Sequence, residues 1–265
     1  MTLGLSGLVV YPIKAAKGIA VADWEVDQFG LRYDRRWMVV NPSGQFLSQR
    51  THPRLALIVP SIEGELLRVT APGMPPLEMA LHPSDTVRTR VVVWRDMCAA
   101  SWTGERPAGW FSEFLGAPCS LVHMPEQGDR LADPSYAAPD TRVSFADGFP
   151  FLLASEASLG DLNHRLPEPL PMERFRPNLV VVGARPYEED EWGAIQIGEI
   201  PMRVVKPCGR CVVTTTDQGT AERGPEPLRT LATYRKRNGQ VEFGQNLVHQ
   251  HPGRLRVGDP IHLVS

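Results

Sequence analysis

The chain has 265 residues, a formal net charge of −2 at pH 7 and an isoelectric point of about 6.4. This length suits one large domain or two small ones, and the balanced charge gives no sign of a nucleic-acid or anionic-membrane surface. No apolar run approaches the roughly 18 residues of a membrane span, and no basic segment precedes the first apolar stretch. Four cysteines are too few for a disulfide framework. We therefore expect a cytoplasmic protein without a nucleic-acid or membrane partner.

Short apolar runs rich in Val, Ile and aromatic residues dominate the chain and predict β-strands. Gly, Pro, Asn or Asp separates them, and the turn residues at 41–44, 63–64 and 238–239 predict hairpin turns. The 25 prolines disfavour long helices. The predicted strands lie at 7–11, 36–40, 55–59, 66–70, 91–94, 179–182, 195–200, 202–205 and 254–257.

Helical spacing of apolar residues occurs in three places, at 108–115, 155–166 and 227–237. Ser155 suits the N-cap of the second helix, and Pro227 suits the first turn of the third. The stretch 125–141 has no periodicity and is expected to link two halves or to cover a site. The patterns together predict a mainly β (β-rich α+β) protein with two lobes joined near residue 120.

The sharpest local feature is the sequence C-G-R-C at 208–211, which follows the predicted strand 202–205. Pro207 and Gly209 are expected to break that strand and to place both thiols on a tight loop. Lys206 and Arg210 flank the thiols, and nearby cations favour the reactive thiolate form. Four interpretations stay open: a thioredoxin-like dithiol, half of a structural zinc site, two inert buried thiols, or one thiolate ligand to a soft redox metal held by a cofactor.

Two of these interpretations depend on residues elsewhere in the chain. A redox dithiol is usually followed by a long helix, whereas a β-branched run follows here at 212–216. A structural zinc site needs two further ligands at matching spacing. The candidates for those ligands are Cys98, Cys119, His249 and His251.

Pairs of cations near predicted strands are further candidates for an anion site. Only 4 of the 28 basic residues are lysines, and an ammonium group is a compact partner for phosphate. The pairs are Lys14 with Lys17, Arg35 with Arg36 (expected on opposite faces of a strand), and Arg174 with Arg176 (expected on one face). The sequence has no G-x-G-x-x-G, P-loop, G-x-S-x-G or H-E-x-x-H motif, so NAD, nucleotide, α/β-hydrolase and zincin functions lack support.

Seven segments follow one another in a recognisable order. They are Y-P-I-K-A-A-K-G, Y-D-R-R-W, F-P-F-L-L-A-S-E-A-S-L-G-D-L-N, R-F-R-P-N, P-C-G-R-C-V-V-T-T-T-D, F-G-Q-N and R-V-G-D-P-I. In this order the chain resembles, over essentially its whole length, MOSC proteins (molybdenum cofactor sulfurase C-terminal domain) that carry an N-terminal MOSC β-barrel region. Within them it is similar to the mitochondrial amidoxime-reducing components and their bacterial counterparts. The resemblance implies a barrel-like N-terminal region at 1–120 packed with a MOSC-type β-barrel domain at 121–265 and a few short helices.

The resemblance also implies an activity. It is that of a molybdenum-cofactor (molybdenum–molybdopterin) reductase, which converts the N–OH group of a small N-hydroxylated substrate to N–H plus water. No cysteine follows Cys211, so the four-cysteine iron–sulfur domain of some bacterial relatives is expected to be absent. Electrons would then come from a separate donor protein of ferredoxin, flavodoxin or reductase type. The alternative is a sulfur-carrier MOSC module that uses a Cys211 persulfide without molybdenum.

The family's site residues map onto this sequence motif by motif. The cysteine that ligates molybdenum maps to Cys211, which is the expected catalytic and metal-binding residue. Ala15 stands where relatives often have Ser, Asn246 stands where some have Tyr, and Asp217 and His249 are candidate proton donors on chemical grounds. The residues expected to bind the cofactor are Lys14, Arg35, Asp147, Gly148, Arg176, Cys208, Gly209, Arg210 and Asn246.

Overall fold

The computed structural model describes residues 2–83 and 87–264. Strands dominate this part of the chain, and its α-helices are α1 (Glu105–Leu115), α2 (Glu156–Arg165) and α3 (Leu228–Leu231). The mainly β prediction with few short helices is therefore confirmed. The strands are β1 (Gly4–Val10), β2 (Ile19–Val21), β3 (Asp23–Asp27), β4 (Gly30–Leu31), β5 (Trp37–Val40), β6 (Val59–Glu63), β7 (Leu66–Thr70), β8 (Leu77–Ala80), β9 (Val87–Val93), β10 (Asp96–Trp102), β11 (Ser120–His123), β12 (Phe151–Ser155), β13 (Leu179–Val182), β14 (Ala194–Ile197), β15 (Ile200–Arg210), β16 (Lys236–Arg237), β17 (Gln240–His249), β18 (Gly253–Arg256) and β19 (Ile261–Val264).

The largest sheet has nine strands and combines both ends of the chain. Its order is β19-β14-β15-β17-β12-β13-β1-β2, with β16 paired to β17 beside this path. Only β12 and β13 run parallel; the other pairs are antiparallel. The Leu5 N–H donates to Asp259 O at 2.9 Å and the Gly258 N–H to Leu5 O at 2.7 Å, so the sheet curls without closing its ladder. The N-terminal strands therefore belong to the same sheet as the C-terminal half, and the division near residue 120 stays a prediction.

Three smaller sheets complete the fold. Their orders are β5-β11-β10-β9, β18-β3-β4 and β6-β7-β8. One apolar cluster lies under the large sheet, and a second surrounds the fully buried Trp37. Helix α1 packs Trp110, Phe111 and Phe114 into that second cluster, as its spacing predicts. No helix of the described residues is long and apolar enough to cross a membrane, and the cytoplasmic location stays a prediction.

The start of α2 and two of the hairpin turns follow the sequence signals. The Ser155 Oγ accepts a hydrogen bond from the Ala157 N–H at 3.2 Å, which confirms the N-cap. Gly64, at φ 59°, joins β6 to β7. Asn238 and Gly239, at φ 49° and 80°, join β16 to β17 as positive-φ hairpin residues do.

Several predicted elements are wrong in extent or type. The run 55–59 is not a strand, because Pro53 begins a 3-10 helix over Pro53–Leu57 that buries Leu55 within one turn. The run 195–200 is two strands, since Gly198 turns the chain at φ 55°. The predicted helix 227–237 is only α3, because the hairpin turn at 238–239 draws Lys236–Arg237 into a strand.

His123 gives the fold a testable pH dependence. It is buried in β11, with its ring 4.8 Å from the Trp37 ring. Burial, with a smaller contribution from the Arg36 guanidinium, lowers the pKa of His123 to about 3. Between about pH 6.5 and pH 3 the unfolded chain therefore binds the proton and the folded chain does not, so stability falls as the pH falls through this window.

Replacing His123 with glutamine should reduce this acid sensitivity. We expect the loss in free energy of unfolding between about pH 7 and about pH 5 to shrink by about 1–2 kcal/mol, as measured by urea denaturation. His262 is exposed, so His262→Gln is the matched control and should keep the wild-type difference. An unchanged difference in His123→Gln would contradict the assignment.

Candidate functional site

A cavity of about 730 Å³ opens at one edge of the nine-stranded sheet. Strand β1 is antiparallel to β13 and β12 is parallel to β13, so the end of β1 meets the starts of β13 and β12. The last residues of β15, Lys206 and residues 208–210, also line the cavity. The segments that the sequence singled out follow or precede these strand ends. All of the predicted site residues line the cavity: Lys14, Arg35, Asp147, Gly148, Arg176, Cys208, Gly209, Arg210, Cys211 and Asn246.

The two cysteines lie differently from the prediction of a single tight loop. Strand β15 continues through Pro207 and Gly209 to Arg210, and two register shifts against β17 accommodate them. Cys208 therefore lies within the strand, whereas Cys211 lies just beyond it, at the start of a 3-10 helix over Val212–Thr215. The β-branched run is this short helix rather than a strand, and it is much shorter than the helix of a redox dithiol.

Each of the two thiols contacts a guanidinium group. The Arg210 Nη1 lies 2.9 Å from Cys208 Sγ, and the Arg50 Nη2 lies 3.1 Å from Cys211 Sγ. Both cysteines are free and half-buried. Cationic N–H groups stabilise negative charge on sulfur, which is the form that binds soft metals.

Two arginines that point into the cavity enclose the Tyr11 ring. The Arg35 and Arg176 guanidinium carbons each lie 4.4 Å from the ring centroid, a cation–π geometry. Asp34 pairs with Arg35 at 2.6 Å. Within residues 2–83 and 87–264, by contrast, no carboxylate lies within salt-bridge distance of Arg176, and burial lowers the pKa of Arg176 to about 10. It is still a cation at neutral pH, and it has room for an anionic ligand.

Lys14 is a buried cation at the same edge. Its Nζ donates to Phe145 O at 2.7 Å and to Asp147 Oδ1 at 2.6 Å. Burial lowers the pKa of Lys14, and the Asp147 carboxylate opposes that effect. Partial loss of hydration acts to raise the pKa of Asp147, but the Lys14 ammonium outweighs it and holds that pKa well below its usual range. The Asp147 carboxylate is therefore ionised at neutral pH.

Four of the eight non-glycine residues with positive φ in residues 2–83 and 87–264 line the cavity. Ala15, Arg35, Trp94 and Arg176 all line it and have φ values of 69°, 49°, 58° and 56°. L-residues rarely adopt this left-handed region, at a cost of about 1–2 kcal/mol each. Residues held in such conformations cluster at functional sites, because the surrounding structure must enforce them.

Several residues from the sequence motifs lie away from the cavity. Arg36 lies away from the cavity and donates to Met124 O at 3.0 Å. The predicted strand alternation of Arg35 and Arg36 is wrong, because β5 begins only at Trp37 and Arg35 has a positive φ of 49°. Arg174 does not share a face with Arg176, since the 3-10 helix Met172–Arg174 turns its guanidinium to Thr214 O. Lys17 and both proton-donor candidates, Asp217 and His249, are not among the described residues that line the cavity.

The remaining polar side chains support the strand edge. Asn246 Nδ2 donates to Lys206 O at 3.1 Å and so braces the bulge of β15. Arg130, within the aperiodic stretch 125–141, is buried and donates to the backbone oxygens of Ser144, Ala146 and Asp147. Sequence reasoning missed Arg50 and Arg130, which no motif or periodicity marks. It assigned Trp94 to the end of a predicted strand and not to the cavity.

The donor set decides which kind of cofactor fits. Among the described residues, no three His, Cys, Asp or Glu side chains form a metal cluster. The zinc candidates Cys98 and Cys119 are buried in separate apolar clusters, and His249 Nε2 lies 2.7 Å from Asp27 O. Two half-buried thiols among cations, without further metal ligands beside them in the described part of the chain, fit a group that brings its own metal ligands and negative charge. The dithiolene and phosphate of molybdopterin are such groups.

Comparison with known proteins agrees with this chemistry. Residues 2–118 match the MOSC N-terminal beta barrel domain, and residues 140–262 match the MOSC domain. Mitochondrial amidoxime-reducing component 1 of Homo sapiens is 35% identical over 285 residues, covering 97% of this chain and 82% of that protein. The Mus musculus protein of the same name is 37% identical, covering 97% and 81%. The chain belongs to the MOSC family.

A second group of MOSC relatives has a different name and length. Molybdenum cofactor sulfurase of Danio rerio is 35% identical over 93% of this MOSC chain, which spans 32% of that longer protein. Both groups of relatives are therefore associated by name with molybdenum-cofactor proteins or with amidoxime reduction. The choice between their activities depends on the residues of the cavity.

Proposed function

We propose that this MOSC protein is a molybdenum-cofactor-dependent reductase of N-hydroxylated compounds. The observation that carries the proposal is the combination of the Cys211 thiol, just beyond β15, with a strongly cationic cavity. Of the described residues that line the cavity, one is acidic, Asp147, and seven are basic. The basic residues are Lys14, Arg35, Arg50, Arg95, Arg176, Lys206 and Arg210.

The chain's own residues have distinct tasks in this proposal. Lys14, Arg35 and Arg176 hold the anionic groups of the cofactor by charge-assisted hydrogen bonds. The Cys211 thiolate ligates the metal. When bound, the cofactor supplies two-electron redox chemistry. The net reaction takes an amidoxime, two electrons and two protons to an amidine and water.

Asp147 is placed to orient the substrate. Its side chain is 69% exposed at the cavity, and one oxygen accepts from Lys14 Nζ. Because the Lys14 ammonium keeps this carboxylate ionised, it accepts hydrogen bonds from the N–H and O–H groups of an amidoxime. The same low pKa excludes Asp147 as a proton donor at neutral pH.

The proposal includes a separate electron-donor protein of ferredoxin, flavodoxin or reductase type. No cysteine follows Cys211 in this sequence, so its C-terminal part offers no thiolates for an iron–sulfur cluster. A chemical reductant can replace the donor in a first test of activity.

The decisive experiment combines metal analysis with turnover. Protein produced in a molybdenum-sufficient host should contain about one molybdenum and one pterin per chain, and it should convert benzamidoxime to benzamidine with reduced viologen. The control is the same protein produced in a host unable to make the cofactor, which should be inactive.

The sulfurase relatives support a second candidate, a sulfur carrier that uses a Cys211 persulfide. Mass spectrometry would then show one added sulfur atom on Cys211 in protein without molybdenum. That result, from a molybdenum-sufficient host, would overturn the reductase and support the carrier.

A further inference from the structure

Within residues 2–83 and 87–264, Arg50 is the one arginine that contacts the Cys211 sulfur, and none of the recognised motifs contains it. We propose that Arg50 tunes the metal through a hydrogen bond to Cys211 Sγ, and that Arg223 is a positioning residue for Arg50. The inference rests on the proposed function, because it concerns the thiolate that would ligate molybdenum.

The Arg50 side chain is fixed on two sides. Its Nη2 lies 3.1 Å from Cys211 Sγ, and its guanidinium carbon lies 4.6 Å from the Trp94 ring centroid. Trp94 in turn donates from Nε1 to Asp147 Oδ1 at 3.3 Å. The guanidinium is planar, and its contact with the Trp94 ring limits its rotation, so one N–H group stays directed at the sulfur.

The Arg50 backbone is held by the segment that follows Cys211. The Arg223 Nη2 donates to both Gln49 O and Arg50 O, the latter at 2.9 Å. The buried side chains of Gln49 and Gln218 exchange two hydrogen bonds of 3.0 Å. The loop after Cys211 therefore returns to fix the backbone of the arginine that contacts the Cys211 sulfur.

This contact has a predictable effect on a thiolate ligand. A cationic N–H donor draws electron density from sulfur, which weakens its donation to a metal and favours the reduced state of that metal. Loss of the hydrogen bond should therefore lower the reduction potential. Loss of a cation that only binds the cofactor would instead lower the fraction of protein molecules that hold the cofactor.

The test measures molybdenum content and midpoint potential separately. Wild type, Arg50→Gln, Arg50→Lys and Arg223→Gln are titrated, and the molybdenum signal is followed by electron paramagnetic resonance. We expect lower midpoint potentials in Arg50→Gln and, by a smaller shift, in Arg223→Gln. Arg229 is exposed near the same loop and pairs with Glu226, so Arg229→Gln is the control and should keep the wild-type potential.

Each outcome decides the proposal. A wild-type potential in molybdenum-loaded Arg50→Gln would overturn the tuning role, and one in Arg223→Gln would overturn the positioning role. If Arg50→Gln retains no molybdenum, the Arg50→Lys variant provides the test instead. Lysine keeps the positive charge but lacks the planar fork of the guanidinium. An unchanged midpoint potential and spectrum in Arg50→Lys would also overturn the tuning role. Absence of molybdenum from the wild-type protein would contradict the proposed function itself. Wild-type protein that binds molybdenum, together with variants of unchanged midpoint potential, would contradict only the role of Arg50 and Arg223.

Discussion

Replacing Cys211 with alanine should remove benzamidoxime reduction and most of the bound molybdenum. Cys211 provides the thiol at the end of β15 that faces the cations of the cavity. Loss of a metal's outer-sphere partner typically costs about 10–100-fold in affinity or activity, so loss of a direct ligand should exceed about 100-fold. The measurements are the molybdenum content per chain and kcat for benzamidoxime with reduced viologen.

Cys208 offers the matched control for this variant. It is also half-buried and lies three residues earlier, but its sulfur contacts Arg210 rather than Arg50. We expect Cys208→Ala to retain molybdenum and to lose at most about 10-fold in kcat. Equal turnover by Cys211→Ala and wild type would contradict the assignment of Cys211 as the ligand.

Replacing Asp34 with alanine should cause a large loss of stability. This buried carboxylate accepts from the Tyr11 N–H at 2.8 Å, from Asn178 Nδ2 at 3.0 Å and from Arg35 Nη1 at 2.6 Å. Removing it takes the counter-charge from the Arg35 guanidinium and one acceptor each from the Tyr11 N–H and Asn178 Nδ2. The free energy of unfolding, from urea denaturation, should fall by about 3–5 kcal/mol.

Two further variants separate this network from general effects. Asp34→Asn keeps an acceptor but loses the charge opposite Arg35, so its loss should be smaller than that of alanine. Asp140 is exposed, and Asp140→Ala should leave the free energy of unfolding within about 0.5 kcal/mol of wild type. A loss below about 1 kcal/mol in Asp34→Ala would show that the network does not hold the N-terminal segment to β13.

The sequence predicts correctly those elements whose residue pattern and both flanking turn residues are local in the sequence. The strand Leu179–Val182 is found at its predicted ends, because an unbroken apolar run is bounded by Asn178 and Gly183. The predicted strand at 55–59 failed, since five apolar-rich residues after a proline satisfy a helical turn as well as a strand. Short runs of this kind are decided by tertiary packing.

The residues of the cavity likewise fall into two groups: those that a local sequence motif marks, and those that only the tertiary structure brings together. Lys14, Arg176 and Cys211 were identified because each stands in a recognisable motif beside a strand end. Arg50 and Trp94 come from a turn and a hairpin tip with no such motif. Arg50 lies beside the sulfur through a backbone contact with Arg223, 173 positions away in sequence. Trp94 packs on Arg50 and contacts Asp147, 53 positions away. No local pattern encodes contacts of this kind.

The shared sheet limits how the two family regions can be exchanged between proteins. Strand β1, within the residues that match the N-terminal family, fills the place beside β13. A fragment that begins after residue 120 would leave β13 as an open edge, which is a template for pairing with another chain. A MOSC half transferred to another protein therefore needs a strand in the place of β1 to cover the edge of β13.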